Sequence, residues 1–313
     1  MSNSVMSRSD ARPRIILATA VWKRRELTRA VLRHYVQIRR VIEKDIDLRL
    51  IAVGSEGQLS RQLCEESGFD YVEYANEPLS YKYNALIGAC ARYQPDAVVL
   101  VNSDDLVESS YFRACLERLN SGCDYVGFRG THVLDLVSLT RGLWPGYESS
   151  YMQFRVGEPA GCGRCFSRRL LESMQWQLWP DVPRRNNSLD FWCTRYLELG
   201  GFQPSAPTMT ELGARAVQLK SDVGITKLSL IPLEGIERGE SNWEWLKGFV
   251  DAREVASLRA VHEHLAPAAM EEPYRYINAE RTPILDAEDV PRIRHELKLM
   301  RAHHDAPGTP SSD

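Results

Sequence analysis

Ala97-Val98-Val99-Leu100-Val101-Asn102-Ser103-Asp104-Asp105 is the stretch that decides the fold. An apolar run, rich in β-branched residues, passes straight into a polar turn with two adjacent carboxylates. Such a run, bounded by turn formers, reads as a buried parallel strand covered on both faces. In an open α/β sheet the ligand crevice lies at the carboxyl ends of such strands. Carboxylates there can hold a divalent metal, and a metal can hold a diphosphate. The alternative is an ordinary acidic turn, because Asn, Ser and Asp all favour turns.

Working outward, strand and helix alternate. Arg14 to Thr19 reads as a first strand, followed by a helix from Glu26 to Ile42 with Leu27, Val31, Tyr35, Ile38 and Ile42 on one face. Leu48 to Val53 is a second strand, and Leu59 to Ser67 a helix stopped by Gly68. Tyr71 to Tyr74 is a third strand. A helix beginning at Ser80 ends before Pro95 and leads into the Ala97 strand. A helix over Ser109 to Leu119 and a fifth strand over Asp124 to Phe128 follow. This alternation predicts an α/β fold with a doubly wound, mostly parallel sheet. Beyond residue 130 the pattern is weaker. Trp144-Pro145-Gly146 reads as a loop, Gly157 to Gly163 as a Gly-rich segment, and Ser188 to Leu199, Asn242 to His264 and Pro291 to His303 as helices. The expected organisation is a polar leader over 1–13, an α/β domain over 14–235, a helical C-terminal extension over 236–304 and a Pro/Ser/Gly-rich tail over 305–313.

Composition narrows the function classes. The chain has 313 residues, 43% hydrophobic and 26% charged, with a formal net charge of -3, so nothing demands a polyanionic partner. No stretch approaches the ~20 apolar residues of a membrane span, and the leader has no apolar core like that of a signal peptide. Seven cysteines without a paired framework suggest reduced thiols and a cytoplasmic protein. Cys162 and Cys165 form a lone C-x-x-C, too few ligands for structural zinc.

Three strand ends, Thr19-Ala20, Gly54-Ser55-Glu56 and Asn102 to Asp105, would line one crevice. Neither G-x-G-x-x-G nor G-x-x-x-x-G-K-[ST] is present, so the dinucleotide fingerprint and the P-loop are excluded. The ordered set Leu17-Ala18-Thr19-Ala20-Val21-Trp22-Lys23-Arg24, Ala52-Val53-Gly54-Ser55-Glu56, Lys82-Tyr83-Asn84-Ala85-Leu86 and Asn102-Ser103-Asp104-Asp105 resembles a GT-A glycosyltransferase of the family-2 type over the N-terminal ~130 residues. The resemblance implies a Rossmann-like GT-A domain and a hexosyltransferase-like enzyme. It would move a sugar from a nucleotide-sugar donor, a UDP-sugar by preference, to a hydroxyl acceptor with Mn²⁺ or Mg²⁺. It implies Asp104 as the metal ligand supported by Asp105, and Thr19, Ala20, Glu56, Lys82, Asn84 and Asn102 around the donor. Asn102 stands where the family has the first Asp of D-x-D, and brings no charge.

Further along, Glu158-Pro159-Ala160-Gly161-Cys162-Gly163-Arg164 matches the family's Gly-rich segment beside donor and acceptor, with Arg164 suited to a diphosphate. Asp190 falls where the family places its catalytic base; an acidic residue favouring the helix dipole is the structural alternative. His262 and His264, and His303-His304, read as surface residues in place of metal ligands, since positions i and i+2 do not share a helix face. Lys220 and Asp222 lie in a segment that either closes over donor phosphates or is a solvated loop. Trp243 and Trp245 either stack on a ligand or pack in the core. Two rival functions remain: nucleotidyl transfer to a sugar phosphate, and a non-catalytic nucleotide-sugar-binding module. The acceptor is open among a glycan, a protein side chain and a modified DNA base; Arg164, Arg168, Arg169, Arg184 and Arg185 could meet phosphates in the last case.

Overall fold

The computed structural model describes residues 12–147, 155–179, 189–222 and 231–271. Its elements alternate as the sequence predicts: β1 (Arg14–Ala20), α1 (Arg25–Ile42), β2 (Asp47–Gly54), α2 (Gln58–Glu66), β3 (Asp70–Glu73), α3 (Leu79–Cys90) and β4 (Ala97–Asn102). β3, β2, β1 and β4 lie side by side in parallel, with Leu17 opposite both Leu50 and Val99. The period-two alternation of the strands divides their side chains between two cores. Ile15, Leu17, Val99 and Val101 join α1 and α2 on one face. Ile16, Ala18, Val98 and Leu100 join α3 on the other. Both faces are covered, which is why these strands read as continuous apolar runs.

The sheet continues past β4 with an antiparallel strand that the sequence did not show. β9 (Arg164–Ser167) pairs antiparallel with β4 and with β6 (Tyr125–Val126), and β10 (Pro204–Ser205) lies outside β6. The result is a seven-stranded, mostly parallel sheet ordered β10-β6-β9-β4-β1-β2-β3. The fold class is α/β, doubly wound. α5 (Arg168–Ser173) and α6 (Leu189–Leu199) bury Leu170, Leu171, Trp192 and Tyr196 on the α3 face.

A second sheet corrects the sequence reading at two places. Asn102 to Asp105 is not one polar turn: Asp105 opens β5 (Asp105–Val107), which leaves the large sheet and pairs antiparallel with β11 (Ala216–Lys220). Trp144 is not a loop residue but the end of β8 (Thr140–Trp144), paired with β7 (Thr131–Asp135). The smaller sheet runs β12-β8-β7-β11-β5, where β12 (Glu234–Arg238) is an edge strand. These strands are short and come from distant parts of the chain, so no local period announces them.

α4 (Ser110–Asn120) follows β5, and a single turn, α7 (Met209–Leu212), precedes β11 with a capping box between Thr208 and Glu211. α8 (Ser241–Leu246) and α9 (Ala252–Glu271) pack into the same core as α1 through Trp243, Leu246, Val250, Val255 and Leu258. Trp243 is therefore a core residue, while Trp245 lies under the Arg141 guanidinium, 4.2 Å from its ring centroid. The readings for residues 1–11, for the Pro291 to His303 helix with His303-His304, for Arg184 and Arg185, and for the 305–313 tail lie outside the described residues. No described helix is long and apolar enough to cross a membrane. All seven cysteines are free thiols.

Candidate functional site

The loop between β1 and α1 is the structural centre of the site. Lys23 and Arg24 both adopt the left-handed region, with φ of 53° and 44°. Non-glycine residues there cost of order 1–3 kcal/mol each and persist only when their surroundings hold them. Here the surroundings are explicit. The Val21 amide donates to the Val53 carbonyl at 2.8 Å, and the Val21 carbonyl accepts from Lys82 Nζ at 2.9 Å. The Lys23 amide donates to Glu56 Oε2 at 2.9 Å. Glu56 and Lys82, expected from sequence beside the donor, thus grip this loop from two sides. Lys82 also donates to Ser55 Oγ and to Asn76 Oδ1.

Lys82 is buried, and burial pulls its ammonium down to about 8, against the opposing pull of Glu56. The sign follows from linkage. Between about pH 8 and the free lysine value near ~10.4, the unfolded chain binds the extra proton, so this group makes stability rise with pH. The difference in unfolding free energy between wild type and Lys82→Met, from denaturant melts, is expected to move in favour of wild type on going from pH 7.5 to pH 9.5. A move the other way contradicts the buried, destabilised charge.

Arg24 is the residue the sequence did not single out. Its Nη1 donates to Asp104 Oδ2 at 2.7 Å and its Nη2 to Ser103 Oγ at 3.1 Å, with side chains only 14% and 13% exposed for Arg24 and Asp104. Burial alone would raise the Asp104 carboxyl, but Arg24 and then Lys220 hold it below the usual carboxylate range. Asp105 is buried and turned back on its own strand end, where Oδ2 accepts from the Asn102 amide and from Asn102 Nδ2. Burial, and then the charge of Asp104, push the Asp105 carboxyl up to about 7. Asn102 Oδ1 in turn accepts from the Tyr83 hydroxyl at 2.9 Å.

This donor set does not fit Mn²⁺ or Mg²⁺. The described hydrogen bonds of Asp104, Asp105 and Asn102 commit one oxygen of each to Arg24, to the strand end and to Tyr83. A guanidinium in contact with Asp104 occupies the place of a cation and would repel a second one. Among the described residues no group of three or more His, Cys, Asp or Glu is placed to hold a metal. His262 donates from Nδ1 to the Leu136 carbonyl, and His264 is exposed.

Asp190 stands in a second cluster. Both of its described side-chain hydrogen bonds fall on Oδ2, from the Tyr147 hydroxyl and from Arg155 Nη2, each at 2.8 Å. Arg155 also donates to Glu158, which accepts from Arg195 as well, and it stacks 3.9 Å over the Tyr147 ring. Burial would raise the Asp190 carboxyl, but the charges of Arg155 and Arg164 outweigh it and hold Asp190 far below the usual range. The side chain is still 30% exposed. Asp190 is a fixed, ionised carboxylate at the start of α6.

The two clusters meet through one dipeptide. A side chain added at Gly161 would sit 3.5 Å from Asp190 Cβ. The next residue, Cys162, is buried near Asp105 and Asp104, whose charges add to burial in pushing its thiol up, and a side chain added at Gly163 would sit 3.3 Å from Val107 of β5. Consecutive Cα atoms are about 3.8 Å apart, so Asp190 and the β4–β5 turn flank the same short segment. Gly163 then takes φ +71°, tight against Phe128, Val107 and Tyr111, a conformation that favours glycine.

Other expected residues have different surroundings. Arg164 is 2% exposed and spends its guanidinium on the Ala160, Pro159 and Asp190 carbonyls and on Thr194 Oγ1. Asn84 clamps the Trp179 backbone, donating to its carbonyl and accepting from its amide. Thr19 is 1% exposed, and its Oγ1 has no hydrogen-bond partner among the described residues. Ala20, partly exposed, lies opposite Asn102 at the sheet edge. Lys220 follows Leu219, whose amide donates to the Asp104 carbonyl at 2.7 Å. A cavity of about 320 Å³ between α1 and the start of α9, lined by residues including His34, Glu108, Phe249 and Glu254, contains none of the expected residues.

No family model and no curated protein matches the chain. Solved structures similar to it include one described as a nucleotide-diphospho-sugar transferase from Desulfovibrio desulfuricans G20, at 10% identity, covering 63% of this chain and 81% of that one with a TM-score of 0.38. Another is S. aureus TarS 1–349, at 10% identity, covering 93% and 72% with a TM-score of 0.41. A third is a cytidylyltransferase from Leptospira borgpetersenii serovar Hardjo-bovis, at 11% identity, covering 85% and 100% with a TM-score of 0.40.

Proposed function

We propose that the chain is a glycosyltransferase that moves a sugar from a nucleotide-sugar donor, a UDP-sugar by preference, to a hydroxyl acceptor. One observation carries the reading: the Gly161–Gly163 segment lies against the fixed carboxylate residue Asp190 at one end and against Val107 of β5, the strand that Asp105 opens at the carboxyl edge of the parallel sheet, at the other. Ligands of open α/β sheets bind at that edge. Ala20, Glu56 and Asn102 surround the nucleoside in this reading. The acceptor hydroxyl lies against Asp190, whose Oδ2 is anchored so that Oδ1 takes the proton. The hydroxyl oxygen attacks the anomeric carbon, the bond from that carbon to the phosphate oxygen breaks, and its electron pair leaves on the diphosphate. A carboxylate held well below the ordinary range is a weak base at rest. It accepts the proton only as the attacking oxygen gains positive charge.

The test is a thermal-shift screen of nucleotide sugars on the full chain. At least one donor is expected to raise the melting temperature, and its nucleoside diphosphate to do the same. A shift with nucleoside triphosphates and sugar phosphates alone favours nucleotidyl transfer, for which the glycine-free Val21-Trp22-Lys23-Arg24 loop is poorly suited.

A further inference from the structure

Resting on the reading of this site as one for a nucleotide sugar, we propose that the donor diphosphate is held by the chain's own cations, Arg24 foremost and Lys220 beside it, without a divalent metal. Three independent features point there. First, Arg24 contacts the carboxylate that would otherwise be the metal ligand, and its fork is spread over Asp104 and Ser103 at the end of β4. Second, two successive left-handed residues, Lys23 and Arg24, lie in a loop tied down at Val21 by Val53 and Lys82 and at Lys23 by Glu56. Such a held, unfavourable conformation aims a side chain that an ordinary turn would leave in solvent. Third, the sequence has an amide, Asn102, where a carboxylate would be needed to balance a divalent ion, and that amide is bonded to Tyr83 and Asp105.

The guanidinium suits the task, because its planar donors match the oxygens of a diphosphate. Lys220 ends β11 one residue after Leu219, which is bonded to the Asp104 backbone, and its ammonium donates to the neutral Gln218 at 3.1 Å. In the free protein Asp104 is the counter-ion that keeps Arg24 in place. With donor bound, Arg24 shares its donors with the phosphate oxygens and receives the charge that develops as the sugar leaves. Asp104 is the partner of Arg24 in the free protein only, and its carboxylate is not required to bind the nucleotide.

Calorimetric titration of nucleoside diphosphates into the full chain, with EDTA and with Mn²⁺, tests this. The expected result is equal affinity in both buffers, a loss of about 10- to 100-fold in Arg24→Gln, partial recovery in Arg24→Lys, and retention in Asp104→Asn to within about threefold. Thermal melts of each variant separate lost binding from lost folding, and Arg24→Lys keeps the charge where Arg24→Gln fails to fold. Binding that needs Mn²⁺ and vanishes in Asp104→Asn overturns the proposal and leaves the nucleotide-sugar reading standing. Absence of binding by every nucleoside diphosphate in both buffers overturns that reading, and this inference with it.

Discussion

Asp190→Asn is expected to lower turnover about 10²- to 10⁴-fold while nucleotide affinity stays within about threefold. The amide keeps the shape and can still accept from Tyr147 and Arg155 through its oxygen, but it cannot take a proton. The alternative role for Asp190, an acid favouring the helix dipole, predicts a stability loss of about 0.3–1 kcal/mol and unchanged turnover. The split between kcat and melting temperature therefore decides between them. The charge of Asp190 also bears on pH. Because Arg155 and Arg164 hold its carboxyl far below the usual range despite burial, Asp190 stays ionised through the neutral and mildly acidic range and imposes no acid limb on the rate there. Unchanged turnover in the Asn variant removes Asp190 from the chemistry.

Arg164→Ala is expected to destabilise the fold by about 3–5 kcal/mol, the scale for removing one partner of a buried, hydrogen-bonded charge. The sequence offers Arg164 as a diphosphate ligand, and the structure shows it instead nearly inaccessible, tying the Pro159-Ala160 segment to the first turn of α6. Removing it strands three carbonyls, each worth about 1–3 kcal/mol when buried unpaired. At roughly 2–4 °C per kcal/mol for domains of 150–250 residues, the melting temperature should fall by about 10 °C. Nucleotide affinity measured well below that melting point should change little. A large loss of affinity with an unchanged melt would return Arg164 to the phosphates.

The contrast between Arg164 and Arg24 shows where sequence reading succeeds and where it stops. The strands β1 to β4 and their helices are legible because each buries a local apolar pattern, as in Ile15-Ile16-Leu17 and Val98-Val99-Leu100, and the short connections force a single topology. The carboxyl edge was legible for the same reason. What the sequence could not show depends on pairs remote along the chain. β5, β7, β8, β11 and β12 assemble a second sheet from segments of three to five residues spread between positions 105 and 238, and that sheet is what buries Asp105. Arg24 sits in a basic run, Lys23-Arg24-Arg25, with no spacing signal of its own; only the left-handed backbone and the 80-residue reach to Asp104 show its pairing. Tyr147, Arg155 and Glu158 around Asp190 carry no spacing signal, because their meeting depends on chain crossings and not on a period. Arg164, in a Gly-rich segment, had the type and neighbours of a ligand, and burial alone assigns it otherwise.

What the chain does to a nucleotide sugar is the most direct test of a transferase. Transferases that activate a hydroxyl also admit water slowly in place of the acceptor, so donor hydrolysis needs no knowledge of the acceptor. Incubation of the full chain with a panel of nucleotide sugars in EDTA, followed by chromatography of the nucleotide products, is predicted to yield nucleoside diphosphate from at least one donor, at a rate that falls in Asp190→Asn. No nucleoside diphosphate from any donor, together with pyrophosphate release from a nucleoside triphosphate and a sugar phosphate, would contradict it.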